Sequence, residues 1–346
     1  MSESESLRLV ARFDHQVTGV SVSEDGRVFV NFPRWTEDSA VSVGEWRDGA
    51  VVPYPDARWN EWRNASKDEL EAGDRWVCVQ SVVADGRGSL WVLDPAAPAM
   101  ATVVPGGPKL VQIDLATDRA IRTIAFDETV APQGSYLNDV RISPDGGTAY
   151  ITDSGARGAI VVLDIETGKA RRVLDGHAST QPDKSVTVTY GGRPLRRPDG
   201  RGVEFSADGI SLSLDGATLY WQAIKGKTLY SIPTTALAEG GTPEQQVVAV
   251  GENGPADGLH ISRADGRMYV TSPQDNSIRV RDLGSNGKAE VFLTDERLRW
   301  PDTFGEGPDG TIYVTTSRIQ DSAFFDASAP AALPTALWSF RPGRSR

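Results

Sequence analysis

The feature that most constrains this chain is an Asp-Gly turn between two short apolar strands, which recurs six times. The first copy is Val20-Ser-Val-Ser-Glu-Asp-Gly-Arg-Val-Phe-Val30. The later copies have their turns at Asp85-Gly86, Asp145-Gly146, Asp215-Gly216, Asp265-Gly266 and Asp309-Gly310. Asp-Gly between alternating strands is a strong hairpin signal, because glycine tolerates the positive φ that such turns need. A hairpin unit repeated six times predicts a six-bladed β-propeller.

Two further strands follow most of these hairpins, which gives four strands per blade. The blade hairpins are predicted at about residues 17–31, 77–93, 138–152, 209–222, 257–271 and 301–316. The last copy is followed by only one more strand, while residues 7–13 read as a strand ahead of the first hairpin. The sequence therefore predicts an all-β, single-domain propeller over residues 1–346. In it the N-terminal strand completes blade six and removes the free sheet edges.

Charge and length exclude several classes of function. Lys and Arg number 36 and Asp and Glu number 47, for a formal net charge of −11 over 346 residues. Such a surface repels phosphate backbones and anionic lipids, so we expect no nucleic-acid partner and no membrane partner. The first residues lack the pattern of a secretory signal. We therefore expect a cytoplasmic protein whose partner is a small-molecule substrate, in an oligomeric state that the sequence leaves open.

The long connections of the chain should all lie on one side of the ring. In each blade the first strand starts on this side, which we call the upper face, and turns at Asp-Gly on the other. The long upper connections are residues 31–40, 56–76, 94–108, 127–137, 175–208 and 317–335. Loops this long are uncommon unless they bind or cover something. We expect a pocket on the upper face, at the central axis.

Polar residues open the first strands and should converge at this axis. They are Thr18, Gln80, Asn138, Asp139, Asp208, Asp257 and Asp302. Carboxylate and amide oxygens suit a hard cation such as Ca²⁺, for which Asn138, Asp208 and Asp257 are the candidate ligands. Without a metal, clustered acids raise one another's pKa and can serve as acid and base. Asp257, Asp139 and Asp302 are then the candidate catalytic residues. In the plainer alternative, these side chains only cap strand ends.

Further residues are candidates for holding the substrate. Asn138 offers an amide oxygen, and Asp153 closes a second strand on the upper side, where a turn role is equally open. Trp35, Trp59 and Trp62 belong to upper loops and can stack on a ring or a cation, or else pin a lid to the disc.

Three other features of the chain have a simpler expectation. The arginines of a local basic run either belong to a solvated loop or meet an anionic substrate group. They are Arg193, Arg196, Arg197 and Arg201. The lone cysteine, Cys78, lies in an apolar strand and His260 lies inside a first strand, so both are expected to be packed structural residues.

Several segments resemble the major royal jelly protein/yellow family, in its bacterial branch. The likeness is carried by residues 136–155, beginning Tyr-Leu-Asn-Asp-Val-Arg, and by 160–177, together with Ala256-Asp-Gly-Leu259, Trp300-Pro-Asp-Thr-Phe304 and residues 308–318. The resemblance implies a six-bladed propeller, similar to gluconolactonase-like proteins. It also implies one of two roles seen in the family, conversion of dopachrome or binding of biogenic amines.

Three functions follow as expectations. The first is proton-transfer isomerisation or tautomerisation of an aromatic or cyclic carbonyl metabolite. The second is a calcium-dependent lactonase or ester hydrolase, since similar propellers include such enzymes. Those lactonases carry a Glu where this chain has Thr18-Gly19, so one charged ligand of their calcium site is missing here. The third is a non-catalytic binding protein for amine-like metabolites. Ca²⁺ is the one candidate cofactor.

Overall fold

The computed structural model describes residues 7–35, 38–67, 69–284, 287–325, 328 and 333–343. Over these residues the chain forms six antiparallel four-stranded sheets, the blades of a β-propeller. Among the same residues, no helix is long and apolar enough to cross a membrane. That the whole chain, residues 1–346, is a single domain stays a prediction, because both ends of the chain lie outside the described residues.

The first five blades each contain four consecutive strands. Blade one consists of β2 (Val20–Val22), β3 (Val28–Asn31), β4 (Val43–Arg47) and β5 (Ala50–Pro53). Blade two consists of β6 (Ser81–Ala84), β7 (Ser89–Asp94), β8 (Lys109–Asp114) and β9 (Arg119–Ala125). Blade three consists of β10 (Leu137–Ile142), β11 (Thr148–Asp153), β12 (Ala159–Asp164) and β13 (Ala170–Val173). Blade four consists of β16 (Ala207–Leu212), β17 (Thr218–Ala223), β18 (Thr228–Pro233) and β19 (Val248–Glu252). Blade five consists of β20 (Leu259–Ile261), β21 (Met268–Ser272), β22 (Ser277–Arg281) and β23 (Glu290–Thr294).

Blade six is built from both ends of the chain, as predicted. Its strands are β24 (Pro301–Glu306), β25 (Ile312–Thr316), β26 (Thr335–Phe340) and β1 (Arg8–Phe13). The N-terminal strand pairs antiparallel with β26, with Arg8 opposite Ser339 and Phe13 opposite Thr335. The first strands of the six blades then contact one another in ring order, β2 with β6 and β24, and so on through β10, β16 and β20. The propeller is thus closed.

Short elements decorate the upper connections. A two-stranded hairpin, β14 (Thr189–Tyr190) and β15 (Arg193–Pro194), precedes blade four. Single turns of 3₁₀-helix lie at Asn64–Ser66, Ala72–Asp74, Pro98–Met100, Ala178–Thr180, Thr234–Leu237, Pro243–Gln245 and Ile319–Asp321.

The Asp-Gly turns of the lower face have glycines with positive φ, as the sequence indicates. In blade three, Gly146 has a φ of +78° and its N–H donates to the Ser143 carbonyl. The carboxylate of Asp145 accepts hydrogen bonds from the Ser143 hydroxyl and the Gly147 N–H. The side chain therefore caps the turn while the glycine supplies the left-handed backbone conformation.

The apolar core lies between neighbouring blades. Along β11, Ala149 and Ile151 pack towards blade two, whereas Tyr150 between them packs towards blade four. Alternate residues of a strand point to opposite faces of its sheet, and both faces of a blade are covered. This is why the strands are apolar almost throughout and why the polar positions at their starts are informative.

Candidate functional site

Irregular pairing at the start of the first strands aims polar side chains at the axis. In blades three, four and six two residues of the first strand lie opposite a single residue of the second, at Asn138-Asp139, Asp208-Gly209 and Asp302-Thr303. Such a bulge bends the strand and redirects its side chains. Asp257 occupies the equivalent place just before β20, where its N–H donates to the Thr271 hydroxyl.

Glycines beside these acids let neighbouring blades approach closely. A Cβ on Gly209 would lie 2.0 Å from the carbonyl oxygen of Asp257, and a Cβ on Gly258 would lie 2.0 Å from that of Asp302. No larger residue fits at either position without moving backbone. The glycines therefore allow the carboxyl groups of blades four, five and six to meet.

Asp208 and Asp257 form a hydrogen-bonded carboxyl pair at the axis. Each also receives a donor from a neighbouring blade. The side-chain amide of Asn138 donates to Oδ1 of Asp208 at 2.7 Å, and the indole N–H of Trp300 donates to Oδ2 of Asp257 at 2.7 Å. One proton is held between the two carboxyl groups, because two like charges in contact cannot both ionise readily.

Burial dominates the electrostatics of the group. It raises the pKa of Asp257 to about 7, against the opposing effect of the Trp300 N–H and the Asp208 carboxyl. It raises the pKa of Asp208 well above the usual range, and repulsion from Asp257 adds to this. The pKa of Asp302 is raised well above its usual range in the same way. The axis therefore holds one carboxyl that can change its charge near neutral pH, beside others whose pKa values are also raised.

Asp139 completes the group from blade three. Burial raises its pKa, and the guanidinium of Arg141, 3.9 Å away, acts in the opposite direction. Its charge also raises the pKa of Asp208, Asp257 and Asp302. The three residues predicted to be catalytic, with Asp208, thus belong to one interacting set.

A small cavity of about 20 Å³ lies above the acids, room for about one water molecule. Its polar side is formed by Gln80, Asn138, Ser154, Asp208, Asp257 and Asp302. Its apolar side comes from upper loops, through Trp35, Met100, Phe205, Ile224 and Ile319. We call these five residues the lid. No Lys, Arg or His side chain is among the described residues that line the cavity.

Of the three predicted tryptophans, the structure brings only Trp35 to the cavity. Trp59 stacks on Trp76 with ring centroids 4.2 Å apart, and Trp62 donates its indole N–H to Asn64 and packs into the apolar cluster behind the lid. These contacts correspond to the alternative in which such residues pin long loops to the disc.

Asp153 lies in a turn at the end of β11. Its carboxylate accepts hydrogen bonds from the N–H groups of Tyr136 and Gly155 and from the guanidinium of Arg172 at 2.6 Å. Its oxygens are therefore engaged in holding the entry to β10, the strand that carries Asn138 and Asp139.

The basic run lies outside the cavity. Three of its arginines are exposed: Arg193, Arg196 and Arg201. Arg197 is half-buried, with its guanidinium 5.5 Å from the ring centre of Phe205 and 5.9 Å from that of Phe324. Phe324 in turn meets the lid residue Trp35 edge to face at 5.6 Å. Arg197 thus joins two aromatic residues over the site.

The residues proposed for Ca²⁺ lie together, and their side chains are engaged with one another. Among the described residues no group of three or more His, Cys, Asp or Glu side chains is arranged to hold a metal ion. Asn138 presents its N–H to Asp208, and Asp208 shares a proton with Asp257, which a cation would have to displace. The Thr18 hydroxyl accepts a hydrogen bond from the side-chain amide of Asn31, and it carries no charge that could replace the missing Glu. Ca²⁺ binding stays a prediction.

His260 and Cys78 are packed within the structure. Nε2 of His260 lies 3.0 Å from Oε2 of Glu306, which also accepts the N–H of Arg263. Cys78 is fully buried, and burial raises the pKa of its thiol to about 12. Neither is a member of the cavity lining.

Comparisons with known proteins agree with this architecture. The family description "Major royal jelly protein" matches residues 77–318. Among solved structures, a luciferin-regenerating enzyme is similar with 10% identity and a TM-score of 0.59, over 98% of this chain and 95% of that one. A calcium-binding protein, regucalcin, from Agrobacterium tumefaciens has 15% identity and a TM-score of 0.56, over 96% and 93%.

A gluconolactonase from Xanthomonas campestris is similar at 14% identity and a TM-score of 0.55, over 96% of this chain and 90% of that one. At these identities the likeness shows the fold alone. No curated protein matches the chain.

Proposed function

The chain belongs to the major royal jelly protein family, and from that starting point we propose that it is an isomerase acting on an aromatic or cyclic carbonyl metabolite by proton transfer. The observation that supports this most is the Asp208–Asp257 pair beneath an apolar lid, in which Asp257 has a pKa of about 7. A base with such a pKa is half ionised near neutral pH, where proton abstraction is most efficient.

Two carboxyl groups of the axis carry the proposed reaction. Ionised Asp257 removes a proton from a saturated carbon conjugated with the substrate carbonyl, and the electron pair of that C–H bond moves through the conjugated system towards the carbonyl oxygen. Protonated Asp302, whose pKa is raised well above its usual range, delivers a proton to that oxygen. A proton passing from Asp257 to Asp302 through the carboxyl cluster restores the starting state. The reaction moves protons only and needs no oxidant or reductant.

The lining favours an uncharged or cationic substrate. Carboxyl groups line one side of the cavity and no described cationic side chain opposes them. A substrate carboxylate or phosphate would meet repulsion and lose its hydration without a partner. The arginine run raised the alternative of an anionic substrate, but its members are not among the described residues that line the cavity.

The experiment is a turnover assay with dopachrome and its uncharged methyl ester, followed by the loss of aminochrome absorbance. We expect turnover of the methyl ester, faster than that of the free acid. Asp257→Asn should lower the rate by about 10²- to 10⁴-fold, the usual contribution of a general base. Asp14→Asn, an exposed carboxyl, is the matched control. Equal rates for Asp257→Asn and wild type would rule out this function.

The same preparation separates the other two functions. Activity should be unaffected by a chelator. A protein that contains Ca²⁺, hydrolyses lactones and is inactivated by chelator until Ca²⁺ is returned would instead be the hydrolase. Metal content and lactone hydrolysis are therefore measured beside turnover.

Amine binding is the second candidate, and one feature favours it. An ammonium group between carboxylates and the rings of Trp35 and Phe205 would gain both charge pairing and cation–π attraction. Capture of dopamine or serotonin in a calorimeter, without turnover of any carbonyl compound, would support binding over catalysis.

A further inference from the structure

Gln80 is a buried cavity residue with a fixed backbone. It directly precedes β6, and its N–H donates to the Leu93 carbonyl at 3.1 Å. Its own carbonyl accepts the side-chain amide of Asn31 at 3.1 Å. Only its side chain is therefore free to serve the cavity, which it lines together with Asp257 and Asp302.

A hydrogen-bond chain from the lid determines which way the Gln80 amide faces. The indole N–H of Trp35 donates to the Tyr136 hydroxyl at 2.5 Å, and that hydroxyl lies 2.9 Å from Oε1 of Gln80. An indole nitrogen can only donate, so the Tyr136 oxygen accepts there and has its one hydrogen left to give. Giving it to Gln80 makes the facing atom the carbonyl oxygen Oε1.

The reverse orientation is weaker. It would leave the Tyr136 hydrogen to Sγ of Cys78, 3.7 Å away, and sulfur is a weak acceptor. Tyr136 is fully buried, so no solvent can replace that partner. The chain Trp35–Tyr136–Gln80 therefore turns the nitrogen Nε2 of Gln80 away from Tyr136, towards the cavity.

The nitrogen is left with N–H groups to donate. Among the described residues, Nε2 of Gln80 makes no hydrogen bond, whereas Oε1 is engaged. A donor of fixed direction in a water-poor site, opposite a base, is placed where negative charge develops when a carbonyl compound loses a proton.

We propose that Gln80 is a catalytic residue whose Nε2 donates a hydrogen bond to the carbonyl oxygen of the substrate, and that Tyr136 and Trp35 are its positioning residues. The assignment rests on the proposed function for its chemistry. As Asp257 takes the proton from carbon, the electron pair moves to the carbonyl oxygen, where the Gln80 N–H stabilises it until the oxygen is protonated.

The first test is kinetic, with dopachrome methyl ester. Gln80→Met keeps the length of the side chain but removes the donor, and we expect kcat to fall about 10²- to 10³-fold, as when one oxyanion-stabilising donor is lost. Tyr136→Phe should lower kcat by less, with little change in KM, because the amide is no longer held in one orientation. Gln245→Met makes the same change at an exposed site and should match wild type.

The second test needs no turnover. Oxindole labelled with ¹³C at its carbonyl carbon is an uncharged probe, and a hydrogen bond to its oxygen moves the carbonyl resonance downfield. We expect that shift in wild type and Gln245→Met, a smaller one in Tyr136→Phe, and none in Gln80→Met. Melting curves of all variants confirm that each is folded.

The outcomes separate the two proposals. A carbonyl shift that depends on Gln80 in a protein without turnover would retain the donor and reject the isomerase. Turnover that is unchanged in Gln80→Met would retain the isomerase and reject the donor. A probe that does not bind wild type, or a shift that is equal in wild type and Gln80→Met, also rejects the donor.

Discussion

The indole N–H of Trp300 donates to Oδ2 of Asp257 across 2.7 Å, from blade six to blade five. Trp300 is fully buried and adopts a left-handed backbone conformation, with a φ of +52°, directly before the strand that carries Asp302. A tryptophan rarely adopts this conformation unless its surroundings hold it there. One residue thus supports the ionised form of Asp257 and leads the chain into the next axial acid.

Trp300→Phe should shift the pH dependence of turnover towards higher pH. The substitution keeps an aromatic ring and removes only the donor. Burial raises the pKa of Asp257 while that donor lowers it, and with both effects acting the pKa is about 7. A hydrogen bond to a charged group contributes about 1.5–3 kcal/mol, which corresponds to a rise of about 1–2 pKa units. Since the base must be ionised, the rising limb of the kcat/KM profile moves by that amount.

The control is Trp338→Phe, in the same blade. Its indole N–H is also buried but donates to the Thr316 hydroxyl, away from the cavity. Its profile should coincide with that of wild type. A Trp300→Phe profile that coincides with that of wild type would show that the Trp300 hydrogen bond does not affect the pKa of Asp257.

Asp208→Asn should make the protein more stable at neutral pH. Burial and the neighbouring carboxylates raise the pKa of Asp208 well above its usual range, so the unfolded chain releases this proton at a lower pH than the folded protein does. The contribution is therefore fully favourable below the unfolded pKa and is lost as pH rises towards the folded pKa. An amide does not ionise, so the variant loses no stability in this way as the pH rises, and its N–H can still donate to Asp257.

Urea unfolding measures the effect. At pH 7.5 we expect Asp208→Asn to be more stable than wild type, with a difference that shrinks as the pH falls to 4. Asp14→Asn, at an exposed position, should show no such trend. A variant that is less stable than wild type at every pH would show that Asp208 is held ionised by favourable contacts instead.

Sequence reasoning reached the ring of acids because their positions repeat with the blades. Asp208, Asp257 and Asp302 each open a first strand, so once the Asp-Gly turns indicate the propeller, their meeting at the axis follows from topology. The closing of the ring by residues 7–13 followed from counting strands in the same way. Both predictions depend on a unit that repeats along the chain, and such a repeat can be recognised in the sequence alone.

The lid was not predictable in the same way. Trp35, Met100, Phe205, Ile224 and Ile319 come from separate upper loops, and no spacing relates them. Trp35, Trp59 and Trp62 looked equivalent as aromatic loop residues, and only their packing distinguishes them. Gln80 was placed at the axis without a role, since the direction of its amide depends on Tyr136, 56 positions away along the chain.

Lys109→Met should destabilise the protein strongly. The ammonium group is buried and donates to Asp94 at 2.9 Å and to the carbonyls of Ala72 and Gly107. Removing one partner of a buried ion pair leaves an uncompensated charge, which costs about 3–5 kcal/mol. Urea unfolding at pH 7 measures this loss.

An exposed ion pair provides the comparison. Lys227 and Glu252 lie 3.0 Å apart with 48% and 38% of their side chains exposed. Lys227→Met should cost no more than about 1 kcal/mol. Equal losses in the two variants would mean that Lys109 contributes no more than a surface charge.

Arg197→Leu should loosen the lid. Its guanidinium lies over the rings of Phe205 and Phe324, which belong to different upper loops, and a cation–π contact contributes about 0.5–2 kcal/mol. The cavity of about 20 Å³ is too small for a metabolite, so these loops must part before a substrate enters. Amide hydrogen exchange in residues 195–205 and 319–325 should become about 2- to 30-fold faster, because that is the change in opening equilibrium that such an energy produces. Arg196→Leu, which removes an exposed neighbouring charge, should leave exchange unchanged, and identical exchange in both variants would show that the two loops are held by other contacts.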